Sequence, residues 1–154
     1  MELILWRHAE AEDGQPDLAR TLTEAGREQA KKMAAWLRPQ LAADTRILVS
    51  PAVRAQQTAA ALGLDFITLD ALAPGGTPRS LLETANWPNA AGTTLVIGHQ
   101  PALGMAAALA MTGHGTYWSV KKGAVWWLGA RMRDDERQIV LRTVMAPEQL
   151  PAVP

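Results

Sequence analysis

The chain has 154 residues, the usual length of one domain, with fifteen basic and fifteen acidic residues, no net charge and no cysteine. That balance excludes a global pull toward nucleic acid or an anionic membrane, and the missing thiols exclude disulfides, thiolate chemistry and cysteine-ligated zinc. With 48% hydrophobic residues, no run near the ~18 apolar residues of a membrane span and no signal-peptide pattern in MELILWRHAE, a cytoplasmic protein is expected, one domain over 1–154, burying roughly 70% of its unfolded surface.

In chain order, LILW at 3–6 is a short apolar run bounded by charge, which predicts a buried strand. It stops at Arg7 and His8. From Thr23 the apolar residues Leu22, Ala25, Ala30, Met33, Ala34, Trp36 and Leu37 recur at spacings of three and four. Thr23 suits the N-cap, Glu24 and Glu28 lie early, and Pro39 ends the helix. RILVS at 46–50 predicts a second buried strand. Ser50-Pro51 reads as a cap followed by proline, opening a helix that runs to about Leu62 and stops at Gly63. FITL at 66–69 is a third strand, PGGTP at 74–78 a turn, and Thr77-Pro78 the start of a short helix to about Thr84. TTLVIGH at 93–99 is a fourth strand, Pro101 opens an apolar helix, and Met111 to Gly115 is a turn. Two strands near Ala124–Leu128 and Ile139–Met145, joined by the charged turn RDDER, are close enough to pair antiparallel. The tail LPAVP is irregular. Adjacent Trp126 and Trp127 should face opposite sides of their strand.

Strands alternating with helices predict an α/β sandwich with a largely parallel sheet. Ligands of such sheets bind beyond the carboxyl ends of the strands. Arg7-His8 follows the first strand, Arg54 the second and His99 the fourth, so all four should reach one edge. A guanidinium is a planar fork of donors matched to phosphate oxygens. Two of them and a histidine can hold a phosphoryl group in flight, and a second, unprotonated histidine can attack phosphorus and carry the group covalently. The arginines supply the positive charge, so neither a metal nor another cofactor is required.

RHAEAED, RTLTEAG from Arg20 to Gly26, LVSPAVRAQQTA from Leu48 to Ala59 and LVIGHQPAL from Leu95 to Leu103 together resemble the histidine phosphatase superfamily, nearest its short SixA-like phosphohistidine phosphatases. The likeness runs from Leu3 to about Leu128. It implies a three-layer α/β/α sandwich around a mostly parallel mixed sheet with one antiparallel strand, like that of phosphoglycerate mutase. It implies His8 as the phosphorylated nucleophile, Arg7 and Arg54 as phosphoryl binders and His99 as a donor to phosphoryl oxygen. The motif most often reads RHG and here reads RHA. Larger relatives carry a helical insertion that supplies a proton donor; the residues between Leu69 and Thr93 leave no room for a large one. Where those relatives place an acid this chain offers only Asp70, with Ala71 beside it, and Glu10 and Glu12 are the other carboxyl groups near His8.

Without a strong acid, alkyl phosphates would be slower by about 10²–10⁴-fold. Phosphohistidine, whose imidazole leaves well, is then the preferred substrate, in an open pocket that admits a histidine-phosphorylated protein or a small exposed phosphate. A broad small-molecule phosphomonoesterase and a non-catalytic phosphohistidine-docking module are the alternatives. Arg20 reaches the phosphate or braces its loop, Ser50 reads as a cap, Lys121 and Lys122 as solvated lysines edging the pocket, and His114 as a surface turn residue.

Overall fold

The computed structural model describes residues 1–154. The regular elements are β1 (Glu2–Arg7), α1 (Glu24–Leu37), β2 (Arg46–Val49), α2 (Val53–Ala60), β3 (Ile67–Thr68), α3 (Pro78–Thr84), β4 (Thr93–Gly98), α4 (Ala102–Thr112), β5 (Val125–Arg133) and β6 (Glu136–Met145). Short 3-10 turns at Asp17–Ala19, Arg38–Gln40, Asp70–Leu72 and Pro147–Gln149 join them. The strands form one sheet in the order β3, β2, β4, β1, β5, β6. β3, β2, β4 and β1 run parallel, β5 is antiparallel to both its neighbours, and the crossovers are the helices.

Period-two alternation divides the core. Leu3 and Leu5 of β1, Leu48, Val96 and Leu128 meet α3 and α4 on one face. Ile4 and Trp6, Ile47, Val49, Leu95, Ile97 and Trp127 meet α1 and α2 on the other. The two clusters hold 15 and 14 buried residues, so the sheet is covered almost equally on both sides and its strands read as unbroken apolar runs. Each fully buried leucine of β1 contributes about 1.5–3 kcal/mol. Trp126 packs toward the α3–α4 layer and Trp127 toward the α1–α2 layer, opposite sides of β5.

The Thr23 and Thr77 hydroxyls accept from the Gly26 and Ser80 backbone N–H groups at 2.9 and 3.1 Å, as N-caps. Three expectations are corrected. α2 begins at Val53, with Ala52 at its N-cap position and no side-chain cap, and the Ser50 hydroxyl oxygen accepts from the Ala52 N–H one step before it. The third strand shrinks to Ile67–Thr68, since Asp70 turns the chain into a 3-10 helix. The last two strands are longer than their apolar stretches. A two-residue turn at Asp134 and Asp135, with φ +52° and +62°, lets the hairpin continue into solvent, where burial no longer dictates pattern.

Two glycines set distances that matter at the site. A Cβ on Gly26 would strike the carbonyl oxygen of Glu10, so α1 packs directly on the loop after β1. A Cβ on Gly104 would strike the carbonyl of Trp118, so α4 packs on the segment leading to β5. Trp6 Nε1 donates to the Gly123 carbonyl at 3.0 Å and Gly123 N–H to the His8 carbonyl at 3.1 Å, tying that segment to the end of β1.

Candidate active site

Register brings the two histidines together. Arg7 of β1 pairs with Gly98 of β4, so the next residues, His8 and His99, leave the sheet side by side. The His8 N–H donates to the Gly98 carbonyl at 3.1 Å, and the ring centroids lie 5.1 Å apart. On the other side of β4, Val49 pairs with Ile97, which sets Ser50 level with Gly98 and its side chain within reach of His99. The first turn of α2 then returns Arg54 across the same edge.

His8 is buried, and its Nδ1 lies 2.7 Å from the Ala9 carbonyl. A carbonyl only accepts, so the ring proton sits on Nδ1 and Nε2 keeps its lone pair. Arg54 Nε donates to that Nε2 at 3.3 Å. Burial, aided by the charges of Arg54, Arg7 and Arg20, pushes the imidazole pKa down to about 4. His8 is therefore neutral at pH 7, with the electron pair a nucleophile needs.

His99 is held by Ser50, whose Oγ lies 2.7 Å from Nε2. The same oxygen accepts from the Ala52 N–H at 3.2 Å. The hydroxyl proton has no other acceptor among its hydrogen bonds, so Ser50 donates to Nε2 and Nδ1 becomes the N–H of His99. That Nδ1 is buried and has no partner. Burial, then the neighbouring His8 and Arg54, push the His99 pKa down to about 3. Ser50 is thus a tether for His99 and not the helix cap its Ser-Pro sequence suggests.

Arg7 Nη1 donates to the Val120 carbonyl at 2.9 Å, while its Nε is buried without a partner. Burial lowers the Arg7 pKa, although a guanidinium stays charged throughout the working range. Arg54 is buried and paired. Its Nη2 meets Asp17 Oδ2 at 3.1 Å and its Nη1 donates to the Asp17 carbonyl at 2.8 Å. The other oxygen, Oδ1, takes Arg20 Nη1 at 3.0 Å, and hydrogen bonds to Arg20 and Arg54 hold the Asp17 carboxyl below the usual range. Arg20 Nε donates to the Glu12 carbonyl at 2.7 Å, so Arg20 both braces its loop and reaches the site. Thr58 of α2 accepts the Ala9 N–H at 3.1 Å and locks helix to loop.

A hollow of about 230 Å³ joins these groups. Arg7, His8, Arg54, His99 and Arg20 line it, with Ala11, Asp13, Gln100 and Lys122. Lys121 and His114 are not among its walls. Asp70 starts its 3-10 turn outside the hollow, and Glu10 is bound by the Thr23 hydroxyl at 2.7 Å. Glu12 opens onto a separate depression behind the loop. Sequence reading missed Asp13, Asp17 and the tether role of Ser50. The loop carries Glu10, Glu12, Asp13 and Asp17 within a few positions, and nothing in their order says which faces inward. Nowhere do three or more His, Cys, Asp or Glu side chains converge as a metal site requires. No helix of the structure is long and apolar enough to cross a membrane.

Arg7 and His99, both in the wall of the hollow with His8, each keep a buried nitrogen without a partner, Nε and Nδ1, and the third such nitrogen of the chain is Trp127 Nε1 in the core. Buried polar groups ordinarily have partners. The arrangement is suited to an oxyanion bound in front of a nucleophile.

The sequence model described as histidine phosphatase superfamily (branch 1) matches residues 3–73. The phosphohistidine phosphatase SixA of Escherichia coli K12 is 34% identical over 118 residues, 70% of this chain and 73% of that protein. The solved structure of the protein histidine phosphatase SixA complexed with tungstate covers 97% of this chain and 99% of its own, with TM-score 0.75 and 28% identity. A phosphoserine phosphatase mutant from Entamoeba histolytica, in complex with phosphoserine, shares the fold at TM-score 0.70 and 17% identity, covering 97% of this chain and 99% of that one.

Proposed function

The chain belongs to the histidine phosphatase superfamily, and from that premise we propose that it is a phosphatase acting through a covalent phosphohistidine on His8, with phosphohistidine in a protein as substrate. Its likeness to the Escherichia coli phosphohistidine phosphatase and to the tungstate-bound SixA structure supports the choice of substrate and of a tetrahedral oxyanion as ligand. The observation that carries the reading is the convergence of Arg7, Arg54, Arg20 and His99 on one hollow with His8, Arg7 and His99 each keeping an unpartnered buried nitrogen there.

The incoming phosphoryl group takes the place of Arg54 at His8 Nε2. His8 attacks phosphorus in line while the leaving group departs on the far side. Arg7, Arg54 and the His99 Nδ1–H hold the charge on the equatorial oxygens. Arg20 and Lys122 raise the local attraction for anions, and Asp17 keeps Arg54 and Arg20 from drifting apart. Water then hydrolyses the phosphohistidine on His8 and returns the imidazole. Charge stabilisation in this scheme comes from guanidinium groups and needs no metal.

The stretch between β3 and β4 contains only a 3-10 turn and the seven-residue α3, so nothing long enough to close over the hollow is present. An open mouth admits a side chain carried on a folded protein. The test compares phosphate release from a phosphohistidine peptide, a sugar phosphate and an aryl phosphate. The expected result is a kcat/KM for the peptide well above the other two. Equal rates would make the protein a general phosphomonoesterase, and tight binding without release would make it a docking module.

A further inference from the structure

The hollow is lined by cations and by two histidines, yet its walls include one carboxylate, Asp13. The other acids of this loop are occupied or lie outside its walls: Asp17 is bound by Arg20 and Arg54, Glu10 by Thr23, and Glu12 lines only the neighbouring depression, whereas the exposed Asp13 stands between the two and lines both. Asp13 forms no ion pair, although Arg20 and Lys122 share its hollow. Its attachment point is fixed. The Glu12 N–H donates to the Thr21 carbonyl at 2.8 Å, its carbonyl takes Arg20 Nε at 2.7 Å, and Ala11 bridges Leu22. An unneutralised carboxylate held at the rim of a phosphate-binding hollow weakens anion binding, so its presence calls for a cationic group on the ligand.

We propose that Asp13 selects the leaving group, accepting a hydrogen bond from the N–H of a departing imidazole. The inference rests on the phosphohistidine reading above and adds to it the residue that tells a phosphoramidate of imidazole from a phosphate ester. Phosphohistidine carries phosphorus on one ring nitrogen and a proton on the other, so its ring is positively charged when it is ready to leave. A surround of Arg7, Arg54, Arg20 and Lys122 repels such a ring; one carboxylate beside the exit restores the balance. In the step, His8 Nε2 forms its bond to phosphorus. The P–N bond breaks with its electron pair going to the leaving nitrogen. The ring keeps its proton on the distal nitrogen and departs as neutral imidazole. Asp13 stays ionised throughout: it holds the N–H and gives no proton. An alcohol or phenol leaving group offers no such N–H and gains nothing from it.

The test measures kcat/KM of the full chain and of its Asp13→Asn and Asp13→Glu variants on a phosphohistidine peptide and on p-nitrophenyl phosphate. Loss of a hydrogen bond between two charged groups predicts that the peptide-to-aryl ratio falls by roughly tenfold to a hundredfold in Asp13→Asn. Asp13→Glu should recover part of it. Because both substrates are measured on one preparation, a partly unfolded variant leaves the ratio intact. An unchanged ratio, or equal losses on both substrates, overturns the role of Asp13. Failure of the unsubstituted protein to release phosphate from the peptide would instead remove the phosphohistidine reading, before any variant is compared.

Discussion

The two ends of the sheet carry the two most instructive hollows of the molecule. At the amino end of β1, a space of about 510 Å³ is lined by Met1, Glu2, Gly92, Gly129, Ala130, Arg131, Val140 and Arg142. At the carboxyl end, the space beside His8 is less than half that volume, about 230 Å³. In the larger one the charged groups have partners: Arg142 is paired with Glu2 and lies over the Trp127 ring, and the Met1 amino group donates to the Ala130 carbonyl. The smaller one holds buried donors without acceptors and two imidazoles kept neutral by burial. Volume is thus a poor guide to chemistry here. What separates the ends is the excess of positive charge from Arg7, Arg20, Arg54 and Lys122 beside two desolvated imidazoles, which costs stability and persists where an anionic ligand supplies the missing partner.

The comparison breaks most sharply at His8. His8→Ala should lower turnover of a phosphohistidine peptide by at least about 10⁴-fold and abolish any acid-labile phosphoenzyme, while inorganic phosphate still binds through the arginines. Retained turnover would move the nucleophile elsewhere. Arg54→Ala or Arg7→Ala should cost roughly 10²–10³-fold in kcat, read in the same assay, since each removes charge aimed at the reacting group.

Acidity tests whether burial, and not fold family alone, sets the state of the rings. Both imidazoles have folded-state pKa values below 6.5, so between about pH 6.5 and pH 3 the unfolded chain binds more protons than the folded one. Stability should fall steadily as pH drops through that window, and fall further below it as the Asp17 carboxylate, held under its usual range by Arg20 and Arg54, takes up a proton. Urea midpoints measured across pH check this, and His8→Ala should flatten part of the slope. For the same reason the acid limb of kcat/KM, corrected for ionisation of the substrate, should lie near pH 4 rather than 6.5.

Ser50→Ala sharpens the contrast at smaller scale. It leaves His99 Nε2 without its tether and frees the ring to flip tautomer, so kcat/KM should drop about tenfold while the unfolding free energy falls by only ~1–2 kcal/mol. A loss of stability without a loss of rate would make the tether purely structural. The smallest effect belongs to the other end of the sheet. Arg142→Ala should leave turnover within about twofold, because an exposed ion pair contributes at most ~1 kcal/mol.

Much of the fold was legible from local pattern. Apolar runs of β1, β2 and β4 and the three-four spacing of α1 read correctly because each buries whole faces, and burial writes a period into sequence. Where burial stops, the signal stops. Ile67 and Thr68 are exposed, so their apolar look overstated a strand of two residues, and the solvent-exposed end of the β5–β6 hairpin left no pattern to find. The Ser50-Pro51 pair placed the start of α2 early: the Ser50 oxygen does accept a local N–H, from Ala52, but the N-cap position falls to Ala52, and the hydroxyl's bond to His99 was not legible locally.

By itself the sequence determined which chemistry was possible. It supplied two histidines and two arginines just beyond three apolar strands, and no thiol. Only the tertiary structure decided which nitrogen of each ring carries the proton, which of four neighbouring acids is spent on Arg54 and Arg20, and which is left facing the hollow. The physical reason is range. Strand burial is a property of neighbours along the chain, whereas tautomers, ion pairs and unpartnered donors are set by groups that meet only once the sheet has closed.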